Sequence, residues 1–400
     1  MPNLIIPTLP GLAEVLAAEV TALGGKDVEP QLRAVTCTGD KEFIYRANLR
    51  LRTGLRVLEE IAVFRARNEQ MLYDRLRGID WSEFLRPDGT LWVEATTNSD
   101  YFRNSVYLSQ LTKDAIVDQF RDRTGQRPSV EKDRPDLTLS VHIGRSNEVS
   151  VSLNSSGPGL HRRGYRRRTG GAPINEVLAA GLLGLAGYDG EVPFVDPMCG
   201  SGTIVAEAAL IAARQAPGFN RNFGFEQWPD FDPALWAGVR QEARELMRTP
   251  PHPIVGNDID ELTLNLARVT LDRTGLLPHV SLSARPFDRL PAPVPVSAPA
   301  AAPQEEDIIE EKAGGLLVTN PPYEIRLKTG DIGEFYREIG DTLKTNWAGY
   351  TAWLITGSPE GAKSVGLRTT RKIPLMNGPL EVRFLRYDLY RGSKKRTGEA

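Results

Sequence analysis

Phe194-Val195-Asp196-Pro197-Met198-Cys199-Gly200-Ser201-Gly202-Thr203 is the stretch whose reading decides the fold. The apolar run from Val192 to Val195 predicts a buried strand, and the loop from Pro197 to Gly202 holds two glycines that allow backbone angles other residues resist. A helical pattern follows from Thr203. A strand, a glycine loop and a helix in this order present backbone N–H groups and a positive helix end at the carboxyl edge of a parallel sheet. Alone, a Gly-Ser-Gly turn before a helix is common.

A second stretch about 120 residues on, Leu316-Leu317-Val318-Thr319-Asn320-Pro321-Pro322-Tyr323, again runs an apolar strand into an unusual loop. Together the two resemble the first and fourth motifs of S-adenosylmethionine-dependent methyltransferases of the Rossmann-like class that methylate exocyclic amines.

At 400 residues, 40% hydrophobic and 25% charged, the chain has the composition of a soluble globular protein with two or three domains. The net charge of −2 gives no global sign of nucleic-acid binding, so any basic surface must be local. Such a cluster runs from His161 to Arg168 and holds Arg162, Arg163, Tyr165, Arg166, Arg167 and Arg168. It reads as a patch for phosphates, with the aromatic and the guanidinium planes stacking on bases. Two cysteines, Cys37 and Cys199, are too few for a disulfide framework or a metal knuckle. The N-terminal residues show neither a charged leader nor a long apolar core, so a cytoplasmic, metal-free, membrane-free monomer is expected.

Residues 1–65 read as a ferredoxin-like α+β domain. Residues 66–155 carry a helix, a strand, a long helix and a hairpin across Gly144-Arg145-Ser146-Asn147, an order that resembles the RNA-binding THUMP module. Residues 156–171 read as a basic linker opened by Ser155-Ser156-Gly157-Pro158-Gly159. From 172 to 400 strands alternate with helices and a closing pair follows, which predicts an α/β fold: a mostly parallel, doubly wound sheet with an antiparallel C-terminal hairpin. The proline- and alanine-rich stretch about 291–312 reads as a disordered insertion.

S-adenosylmethionine needs backbone donors, a carboxylate for its ribose and an acceptor for its adenine. The loop Asp196, Pro197, Met198, Cys199, Gly200, Ser201, Gly202 and Thr203 can approach its amino-acid and ribose portion, with Asp196 accepting from the ammonium. Asp258, followed by Ile259, stands past the second strand of the sheet as the ribose acid, with Asp260 as competitor or helix cap. Asp288 stands where it could accept from the adenine amine, beside Phe287. The acid lies 62 residues after Asp196, against about 20 in a dinucleotide fingerprint, which argues against a nicotinamide dehydrogenase. The extra length is a helical insertion around Trp228 to Trp236. In the second loop, the Asn320 side-chain oxygen and the Pro321 carbonyl can accept from a base amine and draw its lone pair toward the methyl group. Pro321 and Pro322 fix the geometry, and Tyr323 can stack on a base taken out of its helix.

Across most of its length, through Leu160-His161-Arg162-Arg163-Gly164-Tyr165-Arg166, Ala172-Pro173-Ile174-Asn175-Glu176 and Asn377-Gly378-Pro379-Leu380, the chain resembles THUMP-containing guanine-N2 methyltransferases of large-subunit ribosomal RNA and tRNA. The resemblance implies that Asn175 and Glu176 border the cofactor pocket, that Asn320 borders it too, and that the N-terminal third holds RNA. Glu324 stands where many relatives have glycine, and the chain lacks the second methyltransferase domain that some relatives carry, so rRNA and tRNA both remain open as substrates. The rivals are DNA adenine-N6 methylation, which would call for a DNA target-recognition domain; an RNA-binding protein without activity, which would have lost its acids; and protein glutamine methylation, against which the basic cluster speaks.

Overall fold

The computed structural model describes residues 1–166, 174–293, 314–323 and 331–390. Arg167, Arg168, Ala172, Pro173, Glu324 and most of the proline- and alanine-rich stretch lie outside them. The chain divides into two compact units, one of residues 1–163 with 216–245, the other of 164–215 with 246–400.

The first unit opens with β1 (Asn3–Pro7), α1 (Ala13–Ala22), β2 (Lys26–Pro30), β3 (Ala34–Thr38), α2 (Lys41–Arg50) and β4 (Leu58–Arg65), a ferredoxin-like order. The alternation in β1 and β3 buries Leu4, Ile6, Val35 and Cys37 against Leu16 and Val20 of α1 and Phe43, Ile44 and Ala47 of α2. Asp40 caps α2 by accepting from the Phe43 N–H at 2.8 Å. The polar run Lys-Asp-Val-Glu-Pro of β2 carries no strand signal in the sequence; it forms as an edge strand with one bulge, where no apolar face is required.

Then come α3 (Glu69–Arg77), β5 (Thr90–Thr97), α4 (Ser105–Thr124), β6 (Ser129–Val130), β7 (Leu137–Ile143) and β8 (Glu148–Asn154). The strands of the ferredoxin-like and THUMP-like parts join. β4 pairs with β1 on one side and with β8 on the other, so the described strands make one eight-stranded sheet in the order β2-β3-β1-β4-β8-β7-β5-β6.

The stretch read as a linker is packed instead. Ser155 and Ser156 are fully buried; the Asn48 amide donates to Ser155 Oγ at 2.8 Å and its oxygen accepts from Ser156 Oγ at 2.5 Å.

The second unit contributes α5 (Glu176–Leu185), β9 (Phe194–Asp196) and α6 (Thr203–Ala212). The chain then passes through α7 (Pro233–Glu245), which belongs to the first unit: Tyr45 of α2 stacks on Phe225 at 4.3 Å and meets Trp236 of α7 edge-on at 5.9 Å. The 62-residue spacing to Asp258 is thus partly spent on completing the core of the other unit.

Back in the second unit follow β10 (Ile254–Asn257), α8 (Glu261–Thr274), β11 (Val280–Ser283), β12 (Gly315–Thr319), α9 (Ile332–Asn346), β13 (Tyr350–Thr356), α10 (Pro359–Ser364), β14 (Arg371–Asn377) and β15 (Leu380–Asp388). The sheet order is β11-β10-β9-β12-β13-β15-β14, with β11 to β13 parallel and β15 and β14 antiparallel. The central strands are buried on both faces, as their unbroken apolar runs require. β9 is shorter than its apolar run, because Pro193 has no N–H to give; its carbonyl accepts from Leu316 N–H at 2.8 Å. Pro374 sits in the outer strand β14, where a missing donor costs no ladder bond on the open side. No helix among the described residues is long and apolar enough to cross a membrane.

Candidate active site at the switch point of the parallel sheet

Strand order reverses at β9, with β10 on one side and β12 on the other. Helices on opposite faces leave a crevice at the carboxyl ends of those strands, where open α/β sheets bind ligands. Both loops singled out in the sequence leave the sheet there. They are tied directly: Thr319 Oγ1, the last residue of β12, donates to Asp196 Oδ1, the last of β9, at 2.8 Å across 123 residues of chain.

Asp196 is 1% exposed and also accepts from the Met198 N–H at 3.2 Å. Burial pushes its carboxyl up to about 7, helped by the nearby Asp258 charge and opposed by these two hydrogen bonds. The glycines have separate tasks. Gly200 (φ +55°) has nothing within 4 Å of where a Cβ would stand, so this side of the loop is open to a ligand. At Gly202 (φ +78°) a Cβ would lie 2.8 Å from Ala267 Cβ, so glycine lets α6 and α8 pack closely. Gly202 brings α6 no capping side chain.

Asp258 and Asp260 separate cleanly. Asp258 accepts from the Gly200 N–H at 2.9 Å with one oxygen and from the Asp260 N–H at 3.0 Å with the other. It is half-buried beside the glycine loop, and each oxygen keeps a lone pair for a ribose hydroxyl. Asp260 instead caps α8, accepting from the Leu262 N–H at 3.1 Å. Ile259 between them is exposed.

Asn257 escaped the sequence reading although it is the residue that holds these loops together. It is buried, its amide donates to Pro197 O at 3.0 Å and Arg285 O at 2.9 Å, and its oxygen accepts from Ser283 Oγ at 2.7 Å. Its own carbonyl accepts from the Cys199 N–H at 2.8 Å. The signal in the sequence was an amide at the last position of an apolar strand, where a buried polar side chain must find partners. Cys199 is buried, and burial drives its thiol well above the ordinary range.

Asp288, expected to accept from the adenine amine, lies in the turn after β11. Phe287 packs on Trp347 with ring centres 5.9 Å apart, and the Asp288 carbonyl accepts from Asn346 in the last turn of α9 at 2.8 Å. Asp288 is exposed, and these contacts are to the end of α9 that leads into the start of β13, not to the glycine loop.

In the second loop Pro321 is buried, and Asn320 and Tyr323 are half-buried. The Tyr323 hydroxyl donates to Asn320 Oδ1, the atom expected to accept from a base amine. The Pro322 carbonyl accepts from the hydroxyl of Tyr336 of α9 at 3.3 Å, and Tyr336 in turn shares a 2.7 Å hydrogen bond with Thr356 at the end of β13.

Asn175 caps α5, accepting from the Val177 N–H at 2.8 Å, and Glu176 is buried at 3.2 Å from the Arg166 guanidinium. The arginine cluster does not present itself as one patch. Arg162 is exposed, but Arg163 is buried within the first unit and its guanidinium donates to the carbonyls of Leu160 at 2.8 Å and of Arg52. Tyr165 is 2% exposed in the second unit, with its hydroxyl donating to Glu207 at 2.7 Å. The stacking expected of Tyr165 and the phosphate contact expected of Arg163 are therefore corrected, since both groups are enclosed by protein.

Comparison with known proteins places this geometry. Residues 163–385 match the model of the RMKL-like methyltransferase domain, residues 3–58 the RlmL ferredoxin-like domain and residues 66–154 the THUMP domain. A provisionally named RNA methyltransferase of Synechocystis sp. is 38% identical over 95% of both chains. The ribosomal RNA large subunit methyltransferase K/L of Syntrophotalea carbinolica is 37% identical over 95% of this chain and 52% of its own, so the chain spans about half that relative's length. Among solved structures, SMU.472, provisionally a methyltransferase and crystallised with SAH, is 29% identical at a TM-score of 0.84 over 98% of this chain and 99% of its own. A Listeria monocytogenes protein provisionally described as an N6-adenine-specific DNA methylase is 30% identical at 0.83 over 97% and 96%. A THUMP domain and an RlmL ferredoxin-like domain precede the two tied loops, and the chain belongs to the RMKL-like methyltransferase domain family.

Proposed function

We propose that the chain transfers a methyl group from S-adenosylmethionine to the exocyclic N2 amine of a guanosine in structured RNA, with large-subunit ribosomal RNA the favoured substrate and tRNA the next. The observation that carries the reading is the Thr319–Asp196 hydrogen bond, which locks a glycine loop suited to the donor against an Asn-Pro-Pro-Tyr loop suited to a conjugated amine. The ribosomal RNA relative at 37% identity favours the substrate class, and the THUMP match favours RNA in general.

The pocket's residues fit the donor. The open face of Gly200 admits the amino-acid and ribose portion, Asp196 and Glu176 offer negative charge to its ammonium, and Asp258 accepts from its ribose. When bound, S-adenosylmethionine supplies an electrophilic methyl group on a sulfonium. Asn320 Oδ1 and the Pro321 carbonyl accept from the amine N–H groups, which localises the nitrogen lone pair and receives the proton's partial positive charge as transfer proceeds. Asn320 Oδ1 accepts from the Tyr323 hydroxyl and keeps a second lone pair for the amine, and the Tyr323 ring stands beside it to stack on the base.

A second reading, adenine-N6 methylation of DNA, is favoured by the description of the Listeria structure, because the same loop serves any conjugated amine. The deciding measurement is methyl transfer from labelled S-adenosylmethionine to ribosomal RNA, bulk tRNA and DNA from cells lacking the gene, followed by nucleoside analysis. N2-methylguanosine in ribosomal RNA is expected. Label recovered as N6-methyladenine in DNA would overturn the reading.

A further inference from the structure

Arg166 belongs to a cluster whose sequence points to RNA, yet among the described residues its polar contacts are with groups beside the glycine loop. Its Nη1 lies 3.2 Å from Glu176 Oε1, the first residue of α5, and its Nη2 donates to the Ile174 carbonyl at 3.0 Å and to Thr203 Oγ1, the first residue of α6. Glu176 and Thr203 are 5% and 3% exposed. One residue earlier, the Tyr165 hydroxyl donates to Glu207, fully buried one turn along α6 from Thr203. Positions 203 and 207 lie on one face of that helix, so residues 165 and 166 are stitched along α6 at two points.

The charges around the glycine loop give this arrangement a purpose. Glu176, Asp196 and Asp258 are acids, and among the described residues the Arg166 guanidinium pairs with Glu176. A buried carboxylate without a counter-charge would protonate or turn away, and would no longer attract the cationic end of a donor. The α6 N-terminus, uncapped by any side chain, adds positive potential beside it.

We infer that Arg166 is a positioning residue of the methyl-donor pocket and not an RNA contact: it holds the Glu176 carboxylate and the Thr203 hydroxyl at the mouth of the glycine loop. This rests on the reading of that loop as the S-adenosylmethionine site, and the experiment separates the two. Direct binding of S-adenosylmethionine and of S-adenosylhomocysteine is measured by calorimetry without RNA, and binding of unmodified 23S rRNA by filter retention without donor, for the full chain and for Arg166→Ala, Arg166→Lys and Thr203→Val. Arg166→Ala should weaken donor binding about tenfold or more, Thr203→Val by less, and Arg166→Lys should recover part of the loss, because an ammonium restores the charge but not the fork. Affinity for rRNA should stay within about twofold in all three, since a single lost phosphate contact would weaken it and reduce its salt dependence. Should Arg166→Ala fail to fold, judged by circular dichroism, Thr203→Val and Arg166→Lys carry the test. Unchanged donor binding, or a loss confined to rRNA binding, overturns the inference. Failure of the unaltered chain to bind S-adenosylmethionine overturns the reading of the pocket itself.

Discussion

At the scale of single residues, the arrangement separates binding from transfer. In the proposed function Asn320 serves the amine and Asp196 the donor, and Thr319, next to Asn320 in the chain, ties them. Asn320→Ala is expected to leave the calorimetric affinity for S-adenosylmethionine within about twofold while lowering kcat by about 10²-fold or more, the usual cost of a lost transition-state partner. Equal losses in both would refute the assignment. On the proposed reading, Asp196 makes donor binding depend on pH. Its carboxyl, held up to about 7, keeps a proton in the native state that the unfolded chain loses near 3.8, so this group lowers stability as pH rises through that window. A cationic ligand favours the ionised form. Donor affinity should therefore fall below pH 7, by up to about tenfold per unit, with a proton released on binding that appears as a buffer-dependent calorimetric enthalpy. Asp196→Asn should abolish that dependence. That the loops of Asp196 and Asn320 meet was legible in the sequence, because two apolar strands each ending in an unusual loop belong side by side in a parallel sheet. Asn257 and Arg166 were not, because what they do depends on which carbonyls and carboxylates lie within reach.

At the scale of elements, two supports stand out. At the start of α10 the Ser358 N–H donates to Thr356 Oγ1 at 3.0 Å. The Pro322 carbonyl can only accept, so Tyr336 donates to it and Thr356 donates to Tyr336. A line of hydrogen bonds with one direction thus runs from the start of α10 to the Asn-Pro-Pro-Tyr loop. Tyr336→Phe should lower kcat about tenfold through loss of loop geometry, with donor affinity unchanged; rate and calorimetry together check it. In the first unit Arg221 does similar work for the stretch read as a linker. Its guanidinium donates to the carbonyls of Ser156 at 2.9 Å, Gly159 at 2.7 Å and Pro158, and it lies 5.0 Å from the centre of the Phe223 ring. Arg221→Ala should cost about 2–4 kcal/mol in urea unfolding, because several carbonyls lose a charged donor at once. A Gly-Pro-Ser composition predicts irregular backbone correctly, but irregular backbone can be buried when another segment satisfies it.

At the scale of the whole molecule, the order of the chain and the division into units disagree. Residues 216–245 sit in sequence between the glycine-loop helix α6 and strand β10 of one unit, yet Phe223, Phe225, Trp236, Val239 and Ala243 are core residues of the other. A fragment ending at residue 163 would expose the face of Tyr45 that Phe225, Phe231 and Trp236 cover. It should bind the dye ANS and unfold at lower urea than the same fragment joined to residues 216–245 by a flexible linker; equal midpoints would contradict the packing argument. The sequence by itself determined the alternation of strand and helix, the parallel sheet with its antiparallel closing pair, and the two loops that leave its central strands. Each is written in local terms, as apolar period, glycine and proline position, and strand length. Only the tertiary structure decided that β4 fuses two small sheets into one, that the insertion completes a distant core, and that Arg163, Tyr165 and Arg166 turn into the protein. Those outcomes depend on partners brought together from far along the chain, and a run of arginines reads the same whether its counter-charges are phosphates or the buried oxygens of its own fold.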